Sequence, residues 1–171
     1  MNYVVAIPTL SRPCALKRKT LRLLESYKIP KHSIYVFVID SEYEFYKSII
    51  GEGYNLVVGV RGIANQRNYI SNYFEFDSYI LSMDDDIENV MFLDDDIDLT
   101  SVNNLKLIIN FMINTMDSAD VNLCGIYPIA NAFYMRDTVT TDLRFCIGGF
   151  YVFKNKKLML STSAESKEDI E

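Results

Sequence analysis

Residues Tyr79 to Glu88 read YILSMDDDIE, a short apolar run that leads directly into three consecutive aspartates. Adjacent carboxylates repel one another, and a carboxylate taken out of water is costly unless a positive charge lies beside it. A divalent metal ion with oxygen ligands, shared with the phosphates of a substrate, meets that need. The run therefore predicts a strand that carries a metal-binding acidic cluster at its end.

Similar apolar runs alternate with helical patterns along the whole chain. Runs that are apolar on both faces are typical of parallel sheets covered by helices, and the alternation predicts an α/β fold with a mostly parallel, Rossmann-like sheet and flanking helices. The predicted strands span 2–7, 34–39, 56–60, 78–83, 121–126, 132–135 and 145–153, and the predicted helices span 15–27, 42–50, 63–73 and 102–116.

Charged side chains follow several of these predicted strands directly. In such sheets ligands bind beyond the carboxyl ends of the strands. We therefore expect Arg12, Asp40, Arg61 and Asp84–Asp86 to converge on one edge of the sheet. The chain contains neither GxGxxG nor GxxxxGK[ST], so the dinucleotide fingerprint and the P-loop are excluded as motifs.

A second acidic triplet, Asp94–Asp96, nearly repeats the first, since LDDDI follows MDDDI. No convincing strand pattern precedes it, and it leads into a helix, where acids before the N-terminus are favoured. We predict a structural or solvated role for it. Gly148 and Gly149 interrupt an aromatic strand pattern, which indicates either a bulge or a close approach of backbone to ligand.

Composition restricts the class of protein. The chain has 171 residues, is 49% hydrophobic and carries a net charge of −6, which predicts one folded domain over residues 1–171 and disfavours a nonspecific nucleic-acid binder. A local basic patch remains at Lys17, Arg18, Lys19 and Arg22. The N-terminus lacks a signal-peptide pattern and no apolar run is long enough to cross a bilayer, so we predict no membrane association and an intracellular, cytoplasmic location.

Taken in order, five motifs resemble the GT-A fold of nucleotide-sugar-dependent glycosyltransferases. They are SMDDDIE, QRN, GIYPIAN, TTDLRFCIGGFY and KEDIE, preceded by the N-terminal VVAIPTLSRP. The set is most similar to the glycosyltransferases associated with TET/JBP-type base-modifying enzymes of phages and large DNA viruses. The resemblance implies a metal-dependent transfer of a sugar from a nucleotide sugar, a UDP-sugar first, to an acceptor hydroxyl. It implies that the acceptor is a modified DNA base, or otherwise a glycan or a protein. It also implies that the enzyme is encoded by a virus and acts in the host cytoplasm.

The resemblance also assigns roles to individual residues. Asp84 and Asp86 match the metal-binding DxD pair, which would hold Mn²⁺ or Mg²⁺ against the diphosphate, with Asp84 and Asp85 also among the nucleotide contacts. Further nucleotide contacts implied by position are Pro8, Thr9 and Arg12 in the first loop, Asp40 after the second strand, and Arg67 on the helix before the DxD strand.

Glu168 and Asp169 match the late acidic element that supplies the catalytic base in inverting members of the family. Such enzymes usually continue with a helix and a late metal-binding histidine, whereas this sequence ends at Glu171 and its single histidine, His32, is predicted to be an ordinary loop residue. The expected domain therefore lacks the usual C-terminal helix. The alternative is a weakly active or inactive nucleotide-sugar or glycan-binding remnant.

A third hypothesis is a haloacid-dehalogenase-type phosphatase, since Asp84–Asp86 also reads as an acidic pair after an apolar strand. That fold places its nucleophilic aspartate after the first strand, where this chain has Pro8. The oligomeric state, the donor sugar and the stereochemical course are not predicted by the sequence.

Overall fold

The computed structural model describes residues 3–94, 98–127, 130–141, 146 and 148–161. Six strands form the main sheet in the order β3-β2-β1-β4-β8-β7, and β5 and β6 form a separate two-stranded sheet. The strands are β1 Tyr3–Pro8, β2 Ile34–Val38, β3 Asn55–Val58, β4 Tyr79–Met83, β5 Met91–Asp94, β6 Asp98–Ser101, β7 Leu123–Gly125 and β8 Phe150–Lys154.

The helices are α1 Pro13–Leu16, α2 Arg22–Ser26, α3 Tyr43–Ile50, α4 Ile63–Tyr73 and α5 Leu105–Ala119. A π-helical segment, Lys17–Leu21, joins α1 to α2, and short 3₁₀ turns cover Lys31–Ser33 and Asp40–Glu42. No helix in the described part of the chain is long enough and apolar enough to cross a bilayer.

The four strands β1 to β4 pair in parallel, and β8 and β7 continue the sheet antiparallel. The mostly parallel α/β sheet with flanking helices is thereby confirmed. Because β1 lies between β2 and β4, the strand order reverses beside β1, which is where ligands bind in open α/β sheets.

Alternate side chains of the central strands separate into two cores. Val5, Ile7, Leu81 and Met83 belong to the larger core, which the α1–α2 segment, α3 and α5 cover, whereas Ala6 and Ile80 face the smaller core beneath α4. This alternation follows from the two-residue repeat of a strand. It explains why these strands read as continuous apolar runs in the sequence.

Several details differ from the predictions. A strand, β5, does precede the second triplet and pairs antiparallel with β6, so that triplet belongs to a hairpin; Asp95 and Asp96 lie outside the described residues. Residues 132–135, predicted as a strand, form a turn, and Gly148 and Gly149 form a turn before β8 instead of lying within it. Helix α5 begins three residues later than predicted, at Leu105, because Asn104 caps it.

Candidate active site

Two neighbouring parallel strands, β1 and β4, end side by side at the point where the strand order reverses. Their pairing runs from Tyr3 with Tyr79 to Ala6 with Ser82, so the loop after Pro8 and the aspartates after Met83 emerge together. We call residues Asp84–Asp86 the acidic turn. The acidic turn and the loop after β1 therefore lie together, as the sequence predicted.

The middle acid, Asp85, is buried, being only 1% exposed. Thr9 Oγ1 donates to its Oδ2 at 2.5 Å, and Arg12 Nη2 lies 2.8 Å from its Oδ1. Burial raises the pKa of Asp85, and the hydrogen bond from Thr9 and the charge of Arg12 oppose that rise. Asp85 therefore faces inward, where it fixes the loop after β1.

A chain of buried hydroxyl groups extends this contact. The Arg12 backbone N–H donates to the Tyr46 hydroxyl at 3.0 Å, and that oxygen lies 2.8 Å from Thr9 Oγ1. Since the Thr9 proton goes to Asp85, the Tyr46 hydroxyl donates to Thr9. The helix α3, which carries Tyr46, thus holds the loop at both Thr9 and Arg12.

The same loop is held from outside by a carboxylate. Ser11 adopts a positive φ of 57°, which is uncommon for a residue with a Cβ. Its N–H and its hydroxyl both donate to the Glu42 carboxylate, at 2.9 and 2.5 Å. Two charge-assisted hydrogen bonds keep this conformation and orient Arg12 toward the acidic turn.

The outer acids, Asp84 and Asp86, remain partly exposed, and each faces an arginine. Arg12 Nη1 donates to Asp86 Oδ2 at 3.2 Å, with both side chains about half exposed. Arg67 Nη2 lies 3.7 Å from Asp84 Oδ1, and the Arg67 side chain is only 9% exposed. We call Asp84 and Asp86, together with these two arginine contacts, the open edge.

Arg67 is positioned by the antiparallel part of the sheet. Its Nη1 donates to the Tyr151 hydroxyl at 2.8 Å, and its guanidinium lies 5.5 Å from the centre of the Tyr151 ring. Its Nη2 also reaches the Gly148 carbonyl at 3.4 Å. The Asp84 N–H donates to the Gly149 carbonyl at 3.0 Å. The two glycines of the aromatic motif thus contact the acidic turn and its arginine through their backbone.

Thr20 fastens the acidic turn from below, and no sequence pattern indicated it. Its hydroxyl donates to the Asp84 carbonyl at 2.8 Å and accepts from the Ile87 N–H at 2.9 Å, so one side chain bridges both ends of the turn. Thr20 is fully buried within the π-helical segment Lys17–Leu21. π-Helical turns inside helices are frequent at functional sites.

We predict that Thr20→Val will destabilise the fold by about 1–3 kcal/mol, because valine leaves the Ile87 N–H and the Asp84 carbonyl without this partner. Thr20→Ser keeps the hydroxyl and is the matched control, with an expected loss of less than about 1 kcal/mol. Urea unfolding of the three proteins measures the difference. Equal stability of the valine variant and the parent would contradict the role of this hydroxyl.

The QRN motif of α4 has three separate structural tasks. Gln66 Oε1 accepts from the Val60 N–H at 2.7 Å and so holds the loop after β3, while Arg67 lies at the acidic turn. Asn68 pairs with the backbone of Leu160 through two hydrogen bonds of 2.9 and 2.7 Å. The chain near residue 160 is thereby anchored on the helix that carries Arg67.

Two predicted site residues are not brought to the acidic turn. Asp40 and Arg61 are exposed, and within the described chain neither makes a hydrogen bond or ion pair with Asp84–Asp86. Asp40 begins a 3₁₀ turn that delivers Glu42, not Asp40, to the loop after β1. Arg61 follows β3, which runs parallel to β2, so it stays at the predicted edge of the sheet without contacting the acidic turn. A base-contacting role for Asp40 stays a prediction. Glu168 and Asp169 lie outside the described residues.

The outer acids offer the kind of oxygen ligand that a hard divalent cation takes. Asp84 and Asp86 offer carboxylate oxygens, which Mg²⁺ and Mn²⁺ prefer, on partly exposed side chains. Within the described ranges no group of three or more His, Cys, Asp or Glu side chains could hold a metal ion. A cation held here would therefore need oxygen ligands from substrate phosphate and water beside these two acids, as is usual for Mg²⁺.

No protein-family model matches the chain, and no curated protein resembles it in sequence. Among solved structures, the fold is similar to bifunctional IspDF from Campylobacter jejuni, with a TM-score of 0.51 and 13% identity over 99% of this chain and 47% of that one. A second similar structure is 4-diphosphocytidyl-2C-methyl-D-erythritol synthase from Anaerococcus prevotii DSM 20548, with a TM-score of 0.46 and 12% identity over 91% of this chain and 71% of that one.

The shared feature is the α/β fold. The chain spans about half the length of the bifunctional protein. At 13% identity the likeness concerns the arrangement of strands and helices, and it agrees with the Rossmann-like sheet described above.

Proposed function

We propose that the chain is a nucleotide-binding transferase, and specifically a metal-dependent glycosyltransferase that uses a nucleotide sugar. The observation that carries this proposal is the open edge of the acidic turn, where Asp84 and Asp86 lie between Arg12 and Arg67 at the switch point of the sheet. Glycosyl transfer, the UDP-sugar and the modified DNA base as acceptor come from the motif resemblance.

Electrostatics favours a site completed by a cation. Carboxylates such as those of Asp84 and Asp86 repel the phosphates of a nucleotide unless a cation lies between them. A bound divalent ion would supply that positive charge, and with it Lewis acidity and charge neutralisation on the leaving diphosphate. We therefore expect nucleotide binding to require Mn²⁺ or Mg²⁺.

The residues of the chain have distinct tasks in this mechanism. Asp84 and Asp86 would hold the cation, and the guanidinium groups of Arg12 and Arg67 would donate to phosphate oxygens. The acceptor oxygen attacks the anomeric carbon, the bond from that carbon to the diphosphate breaks, and the nucleoside diphosphate leaves with the electron pair. A carboxylate takes the acceptor proton.

For that carboxylate we propose Glu168 or Asp169, as the resemblance implies. A remnant that binds nucleotide sugars without transferring them is the alternative, and it shares every contact of the open edge.

The test has a binding step and a product step. Calorimetric titration with a panel of nucleotide sugars, with Mn²⁺ and after chelation, should show binding that is lost with the metal. The bound donor is then incubated with duplex DNA carrying hydroxymethylated bases, with glycans and with protein acceptors. Release of nucleoside diphosphate with transfer of the sugar supports the proposal, and binding without transfer or donor hydrolysis supports the remnant. Turnover of a nucleoside triphosphate with release of pyrophosphate would show that the chain transfers a nucleotidyl group and not a sugar. If no nucleotide binds at all, both the glycosyltransferase and the remnant are refuted.

A further inference from the structure

A groove of about 360 Å³ runs along the outer side of the π-helical segment and α2. This volume falls at the lower end of the range of about 300–1,000 Å³ that small-molecule sites occupy. We call it the basic groove. It is lined by Arg18, Lys19, Arg22, Leu23, Ser26 and Glu88.

The charge of the basic groove is opposite to that of the whole chain. Three cationic side chains line it against the single carboxylate of Glu88, in a protein with a net charge of −6. Glu88 forms an ion pair with Lys19, with Nζ and Oε1 2.7 Å apart, so the charges of Arg18 and Arg22 are left in excess. A concentrated positive patch on an acidic protein focuses anions toward one place.

The two arginines are available to a ligand. Arg18 uses its Nε in a 3.2 Å hydrogen bond to the Cys14 carbonyl, which holds the side chain along the helix and leaves its terminal amino groups for other partners. Arg22 is exposed and makes no hydrogen bond or ion pair through its side chain within the described chain. Planar guanidinium groups match phosphate oxygens in pairs, which distinguishes phosphate from other anions.

The basic groove adjoins the acidic turn but is a separate place. Glu88 lies two residues after Asp86, and Thr20, next to Lys19, bridges Asp84 and Ile87. The arginines at the open edge are Arg12 and Arg67, neither of which lines the groove. One ligand could thus occupy each place at the same time.

We propose that the basic groove is a second binding site, which takes a phosphate group of a molecule other than the one at the open edge. The phosphate could belong to a free phosphoanion or to the phosphodiester chain of an oligonucleotide. Both present oxygens that Arg18, Arg22 and Lys19 can contact. The site needs no divalent cation, so it exists whether or not the proposed glycosyl transfer is right.

The test measures binding in metal-free buffer of low salt, with pyrophosphate as one probe and a short oligothymidylate as the other. Arg18→Gln combined with Arg22→Gln should weaken binding by at least about ten-fold, and Glu88→Gln should tighten it by about two- to five-fold. Lys106→Gln removes one exposed positive charge on α5 and is the matched control. All substituted side chains are exposed, so thermal unfolding should confirm that the variants remain folded.

Each outcome of this experiment either supports or overturns the second binding site. Loss of binding in the double arginine variant alone supports the site, and the tighter probe identifies the source of the phosphate. Binding of neither probe by the parent, equal binding by the double variant, or an equal loss in Lys106→Gln would overturn the proposal. Because metal is absent throughout, failure here leaves the open edge untested, and failure of nucleotide-sugar binding leaves this result unchanged.

Discussion

Replacing Asp86 with asparagine is expected to weaken metal-dependent nucleotide-sugar binding by at least about 100-fold. Changes to residues that only support metal ligands cost about 10- to 100-fold, so loss of a ligand itself should cost more. Asparagine keeps the shape of the side chain and an oxygen that can accept from Arg12, so the main loss is the charge that faces the cation. Asp84→Asn should behave in the same way. Calorimetry with a UDP-sugar and Mn²⁺ measures both.

The sequence contains its own control for this experiment. Asp94 stands at the same place in LDDDI as Asp84 in MDDDI, but it is exposed at the end of β5. Among the described residues it accepts a single hydrogen bond, from Thr100 at 3.3 Å. Asp94→Asn should leave nucleotide-sugar binding unchanged. If Asp86→Asn binds metal and nucleotide as the parent does, or if Asp94→Asn loses binding equally, the acidic turn is not the metal site.

Asp85→Asn separates the tasks within the acidic turn. Its carboxylate holds Thr9 and Arg12 from below, so the amide should loosen the loop after β1 and reduce stability, without removing a ligand from the open edge. This division of labour explains why three consecutive acids are tolerated. One is turned inward against a hydroxyl and a guanidinium, and the other two remain in contact with solvent.

The central fold was predictable because its signals are local and strong. Helix α4 was predicted with its observed bounds, and β4 to within one residue, since each is bounded by clear turn chemistry and carries a regular apolar pattern. The sequence also predicted correctly that Arg12 meets the acidic turn, because both directly follow predicted strands of a parallel sheet. The meeting also requires that β1 and β4 are neighbours in the sheet, since Asp40 and Arg61 follow parallel strands as well and do not contact the acidic turn.

What the sequence did not reveal depends on single contacts. Thr20 reads as one polar residue in an amphipathic helix, and only the π-helical turn brings its hydroxyl to both ends of the acidic turn. Asp40 and Glu42 are equally acidic, and only the 3₁₀ turn decides that Glu42 reaches Ser11. The strand before the second acidic triplet was missed because β5, in the part of the chain that the structure describes, pairs with β6 alone and presents exposed side chains on both faces.

Asn155→Ala is expected to cost about 2–4 kcal/mol of folding free energy. Asn155 is fully buried at the end of β8. The two N–H groups of its Nδ2 are shared among the carbonyls of Ser71, Phe74 and Glu75, which lie 2.9, 3.1 and 2.9 Å away. The carbonyls of Ser71 and Phe74 lie at the end of α4, where the last carbonyls have no partner within the helix. The carbonyl of Glu75, two residues beyond the helix, also accepts from the Ser78 hydroxyl.

A second side chain shares this cap and keeps the expected loss within that range. Lys157 Nζ donates to the carbonyls of Ser71 at 2.7 Å and Asn72 at 3.2 Å, and also to that of Phe74. Alanine at position 155 therefore leaves each of the three carbonyls with a donor, those of Ser71 and Phe74 from Lys157 and that of Glu75 from Ser78. The double variant Asn155→Ala with Lys157→Met should lose more folding free energy than the sum of the two single variants. In each single variant the remaining side chain, the Lys157 ammonium or the Asn155 amide, still donates to the shared carbonyls.

Urea unfolding of the single and double variants measures this coupling, and Asn72→Ala provides the control. Asn72 is exposed on the same helix and offers only its backbone carbonyl to the cap, so its substitution should change stability by less than about 0.5 kcal/mol. A loss in Asn155→Ala no larger than in Asn72→Ala would show that the amide does not hold the helix. The result bears on the site as well, because α4 carries Arg67 from this cap to the acidic turn, and a loosened helix end should also weaken nucleotide-sugar binding.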